Sequence, residues 1–104
     1  MMTLEAFAKE VKLMRDCQKR CLAVDSLAAV EEAQRHERFV DSLIAEAPQH
    51  ALVKETLAVR LLQRDAGSGA GALYVTLRRR EMALDLLVRD VLHPWLAELH
   101  RGGI

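Results

Sequence analysis

Cys17 and Cys21 stand four residues apart, and His36 follows 15 residues after the second cysteine. Thiolate and imidazole are the side chains that hold zinc and softer metals, so these three residues are the first candidates for chemistry. A spacing of four puts both sulfurs on one face of a helix, about 6 Å apart, with nearly parallel Cβ bonds. That geometry is poor for a mutual disulfide. If the chain folds back near residue 24, Cys17 comes to face Glu32, and His36 lies one helical turn beyond it. A structural zinc takes four ligands, most recognisably from paired Cys-x-x-Cys knuckles, and no fourth ligand is evident. Both cysteines also fall on an apolar stripe, where a free cysteine packs as a small hydrophobe. Core packing is therefore the expectation, with no metal and no cofactor.

Catalysis by a cysteine nucleophile needs a depressed thiol pKa and a positioned base. Lys19 and Arg20 are close in sequence but belong to another face. His36, central on the stripe of its own helix, reads as a core or interface residue, with a pH-sensitive contact as the sharper possibility. His50, His93 and His100 fall near expected helix ends, where histidine helps satisfy carbonyls. The run Gly67-Ser68-Gly69-Ala70-Gly71 invites a phosphate-loop reading. A Walker loop needs Gly-Lys-Ser/Thr at its end, whereas Ala72 and Leu73 stand there, and a dinucleotide loop follows a strand. The run is expected to be a connector. Paired carboxylates occur as Glu31-Glu32 and as Glu37 and Asp41; the latter two share a face but are offset from the apolar stripe, so no buried acid–base site is expected. No enzyme signature is found.

Arg78-Arg79-Arg80, with Arg89 further on, are the one candidate phosphate-contacting cluster. A helix-turn-helix reader carries such residues behind a tight turn. The glycine-rich connector is loose for that, and Glu81, Asp85 and Asp90 offset the charge.

The elements that position these residues are all helices. Helix one is expected from Thr3, an N-cap, to about Leu22, with Leu4, Phe7, Val11, Met14, Cys17 and Cys21 spaced by three and four. Asp25 or Ser26 caps a second helix over 27–47, with Ala29, Ala33, His36, Val40, Leu43 and Ala47 in line. Phe39 and Ile44 flank that line. The two helices should fold back as an antiparallel hairpin, ended by Pro48. A third helix is expected over 49–65, its apolar face made by Val53, Leu57, Leu61 and Leu62. The connector 66–71 leads to a fourth over 72–92. Leu73 to Leu77 alternates like a short strand, but a single strand has nothing to pair with, so helix is preferred. Met82 to Leu92 is apolar on several sides, as for a most-buried helix. Pro94 suits the first turn of a terminal helix through His100, closed by Gly102-Gly103. A faint echo of residues 58–65 in residues 83–90 reads as two amphipathic helices converging on similar residues.

Within the hairpin, Met14-Arg15-x-Cys17-Gln18-Lys19, Leu27 and Glu37-x-x-Val40-Asp41-x-x-Ile44-x-Glu46 resemble a pattern in short uncharacterised phage and prophage proteins. The resemblance covers residues 14–46. An aromatic residue usually follows the Gln-Lys pair in those proteins, whereas this chain has Arg20-Cys21-Leu22. The resemblance implies a mobile-element origin and a helical hairpin, and brings no activity or site residues.

Composition sets the outer limits. The 104 residues allow one domain, here 1–104, divided into a hairpin over 1–47 and C-terminal helices over 49–101. Fifteen basic and fifteen acidic side chains cancel, so the basic excess of a nucleic-acid binder is missing. The longest uncharged stretch, Ala66 to Leu77, is 12 residues, too short to span a bilayer. Glu5 and Glu10 interrupt the order of a signal peptide, so a cytoplasmic location with reduced cysteines is expected. The narrow stripes of the first two helices and the apolar excess of the C-terminal half suggest a dimeric bundle. The function expected is a small non-enzymatic interaction or regulatory module acting by helix packing, on itself or on another protein. Leu57, Leu61, Leu84, Leu87 and Trp95 are its expected contacts. The alternative is a nucleic-acid-associated regulator using Arg78, Arg79, Arg80 and Arg89.

Overall fold

The computed structural model describes residues 2–24, 26–66 and 71–95. Those residues form four helices and no strand: α1 (Leu4–Ala23), α2 (Leu27–Leu43), α3 (Ala51–Ala66) and α4 (Gly71–Leu92). The chain is thus all-α, and Leu73 to Leu77 is helical. α1 packs on α2, and α3 packs on α4, within two compact units, Met1–Pro48 and Gln49–Ile104. Asp25 as a cap, the connector Gly67 to Ala70, and the terminal segment from Leu96 through His100 to Gly103 lie outside the described residues.

The first hairpin follows its stripe. The Thr3 hydroxyl accepts from the Ala6 N–H at 3.1 Å, and the Ser26 hydroxyl accepts from the Ala29 N–H at 3.4 Å, so both helices start on capped turns. Phe7, Val11, Met14 and Cys17 are buried on α1, opposite Ala29, Ala33, Val40 and Leu43 on α2. Ala29 and Ala33 make the buried face of the first half of α2 small. α2 ends at Leu43, four residues before the expected Ala47. The Glu46 N–H bonds the Leu43 carbonyl at 3.0 Å, a tightened last turn that frees the chain before Pro48.

The second hairpin departs from expectation on both helices. α3 starts at Ala51, with the His50 Nδ1 accepting from the Leu52 N–H at 3.0 Å. His50 therefore serves an N–H at a helix start, not a carbonyl at a helix end. The buried face of α3 is Leu52, Val53, Thr56, Val59 and Arg60, while Leu57 and Leu61 are 44% and 50% exposed. Two polar residues stand on the covered face where two leucines were expected, each with a hydrogen-bond partner on its own helix. The Thr56 hydroxyl donates to the Leu52 carbonyl at 2.7 Å, and Arg60 Nη1 donates to Gln63 Oε1 at 2.7 Å. On α4 the buried residues Leu77, Glu81, Leu84 and Val88 form one stripe at spacings of four, three and four. Met82 is 68% exposed and Leu86 52%, so Met82 to Leu92 is not the most buried stretch. A helix covered along one stripe leaves its opposite side in solvent, however apolar that side is.

The two hairpins repeat one pattern. Buried Arg15 donates to Gln18 at 2.6 Å, and Gln18 Nε2 donates to Glu37 Oε2 across the helix pair at 2.7 Å. Buried Arg60 donates to Gln63, and Gln63 Nε2 donates to Glu81 Oε2 across the other pair, also at 2.7 Å. Arg and Gln recur 45 positions on, and Glu recurs 44 positions on. The buried positions recur with them: Phe7, Ala8, Val11 and Met14 match Leu52, Val53, Thr56 and Val59, and Val40 matches Leu84. This period, not the echo of residues 58–65 in 83–90, is the internal similarity of the chain.

Candidate functional site

The first hairpin brings Cys17, Glu32 and His36 together. Cys17 ends the buried run of α1, and Glu32 and His36 lie one turn apart on α2. A short connection folds α2 back so that the two helices meet there. The Cys17 Sγ, a Glu32 carboxylate oxygen and a His36 ring nitrogen all lie within 4.8 Å of one another. The Cys17 thiol donates to Glu32 Oε1 at 3.8 Å, and Glu32 Oε2 accepts from Arg20 Nη1 at 3.3 Å. Burial, then the negative charge of Glu32, pushes the Cys17 thiol pKa above its ordinary value. The thiol is therefore held neutral, the reverse of an activated nucleophile.

Beside this cluster opens a groove of about 550 Å³ lined by Glu10, Leu13, Glu32, Arg35, His36 and Phe39. Glu32 and His36 thus belong both to the cluster and to the groove wall, while Cys17 is 7% exposed. Cys21, expected beside Cys17 as a second sulfur, is half-buried and outside the trio, and Glu32 takes its place. Both cysteines are free. The hairpin reading placed Cys17 against Glu32. A search for cysteine pairs alone does not find the trio, because its third donor is a carboxylate.

The arginine cluster is drawn into pairs on the second hairpin. Arg80 holds Glu55 with two hydrogen bonds of 2.8 and 2.9 Å, joining α4 to α3. Arg78 bonds Glu81 and covers the Tyr74 ring, its guanidinium carbon 4.6 Å from the centroid. Arg89 pairs with Asp90 at 3.3 Å, and its Nε is buried with no acceptor. Arg79 is exposed. Glu81 and Asp90, two of the carboxylates that offset this cluster in sequence, are partners of Arg78 and Arg89, but the sequence did not locate the cross-helix partner Glu55.

The expected protein contacts divide. Leu57 and Leu61 are half-exposed on α3, and Trp95 is 60% exposed with His93 edge-on at 6.5 Å between ring centroids. Leu87 is half-buried, and Leu84 is fully buried. Leu84 is therefore a core residue of its helix pair and not a surface contact, because it falls on the covered stripe with Leu77 and Val88. The residues missed from sequence are Val75, Met82 and Leu86, spaced by seven and four along the uncovered side of α4 and each more than half exposed. Their spacing was the available signal. No helix among the described residues is long and apolar enough to cross a membrane. Comparison with protein families, with curated proteins and with solved structures finds no match.

Proposed function

We propose that the chain is a small non-enzymatic interaction module that works by helix packing, first of all on a second copy of itself. The observation that carries this reading is the double face of α4. One stripe, Leu77, Leu84 and Val88, is covered; the opposite one, Val75, Met82 and Leu86, is apolar and open. Exposed apolar side chains gathered on one helix face mark sites of association, and on this face exposed Arg79 stands between Val75 and Met82. At about 1.5 Å per residue, Val75 to Leu86 span about 17 Å of α4, about three turns to set against an antiparallel copy. Leu57, Leu61 and Trp95 add exposed apolar surface to the same unit.

Light scattering on the eluting protein tests this reading. The expected mass is twice the 11.7 kDa of the chain. Met82→Glu with Leu86→Glu should return it to one chain while helicity is kept, since neither residue is buried. A mass of one chain at every concentration would sink the proposal. The alternative, a nucleic-acid-associated regulator using Arg78, Arg79, Arg80 and Arg89, has less support. Three of those four arginines already pair with carboxylates. Binding of that kind would weaken steeply with salt, whereas apolar packing would not.

A further inference from the structure

We propose that Cys17, Glu32 and His36 form a binding site for a divalent zinc-like ion, with one coordination position left open to the neighbouring groove. The donor set is that of zinc: a sulfur, an imidazole nitrogen and a carboxylate oxygen. In a tetrahedral zinc site such atoms lie roughly 3.3–3.6 Å apart. The observed separations of at most 4.8 Å close to that range with side-chain shifts of about 1 Å. Glu32 and His36, one turn apart and half-exposed, have the freedom to make them.

Charge favours the ion as well. Thiolate and carboxylate together cancel a 2+ charge, and a neutral imidazole adds none, which leaves the exposed Arg20 guanidinium as the one further charge on Glu32 among the described residues. The thiol proton passes to solvent as the metal–sulfur bond forms. Arg20 already holds Glu32 Oε2, which leaves Oε1, the oxygen facing Cys17, for the metal. Glu32 and His36 also line the groove, so the fourth position opens there, within reach of water or a small ligand.

The second hairpin supplies the comparison that makes the trio more than packing. At the matching positions it carries Leu62, Thr76 and Arg80, with Arg80 tied to Glu55. The same helix pair is thus built without any of the three donors. Nothing in the hairpin fold requires a thiol, a carboxylate and an imidazole to converge. The inference is independent of self-association, which rests on α4.

Cobalt(II) titration of the reduced, chelator-treated full chain tests it. The expected result is one cobalt per chain, a near-ultraviolet sulfur-to-cobalt charge-transfer absorption, and displacement of cobalt by zinc. Cys17→Ser should abolish that absorption, and Cys21→Ser should keep it. Glu32→Gln and His36→Gln should each weaken cobalt binding by more than about tenfold. Because His36 is half-exposed, its variant keeps the test alive should Cys17→Ser lose helicity. Absence of the charge-transfer absorption in the wild type, its survival in Cys17→Ser, or equal affinity of wild type and His36→Gln would each overturn the site.

Discussion

At the scale of single residues, Cys17 departs from the ordinary behaviour of a thiol. It is buried against α2, and its thiol faces the Glu32 carboxylate, so ionisation is opposed twice over. Without metal, iodoacetamide at mildly alkaline pH is expected to modify half-buried Cys21 well before Cys17, as peptide mapping by mass spectrometry would show. Equal rates would contradict the burial. The same shift sets a pH dependence. The folded chain keeps the Cys17 proton above the ordinary thiol value of 9.0, where the unfolded chain gives it up. Stability from this group is fully present below that value and declines as pH rises through it toward the folded pKa. The stability difference between wild type and Cys17→Ser, measured by urea unfolding on both sides of pH 9, should move in that direction. Thr3 is simpler. Its hydroxyl satisfies one N–H of the α1 first turn, so Thr3→Ala should cost about 1 kcal/mol in the same assay.

At the scale of elements, each helix pair is held by an apolar stripe with an Arg–Gln–Glu chain across it. Glu81 is 4% exposed and accepts from both Gln63 and Arg78. Removing the carboxylate strands a glutamine donor and a partly buried guanidinium, so Glu81→Ala should destabilise by about 2–3 kcal/mol. Leu84→Ala, which empties a fully buried position, should cost about 2–5 kcal/mol, whereas Leu61→Ala at a half-exposed one should stay below about 0.5 kcal/mol. Comparable losses at Leu61 and Leu84 in chemical unfolding would mean that the faces of α3 and α4 are wrongly assigned. α1 and α2 were legible in the sequence because their stripes contain few competing hydrophobes. α3 was not. Its polar Thr56 and Arg60 turn inward and its leucines outward, a choice made by where α4 packs, with local hydrogen bonds to Leu52 and Gln63 making the burial tolerable.

At the scale of the whole molecule, self-association ties stability to concentration. If α4 packs on a second copy, the unfolding temperature should rise with protein concentration in the wild type and stay constant in the Met82→Glu, Leu86→Glu chain. A concentration-independent midpoint in both would argue against the dimer. What the residues alone determined is the helical class, the four helices of the described residues, the capped start at Thr3, a second cap at Asp25 or Ser26, and the buried stripe of the first hairpin. Those features follow from local preference and from the 3.6-residue period, both carried by neighbours in sequence. Tertiary structure alone decided which face of α3 is covered, that Leu84 is core while Met82 is open, and that Glu55 takes Arg80. It also decided that Glu32 and not Cys21 completes the trio with Cys17 and His36. The physical reason is common to all four: each depends on an atom of one helix meeting an atom of another, and helical periodicity carries no information about that partner.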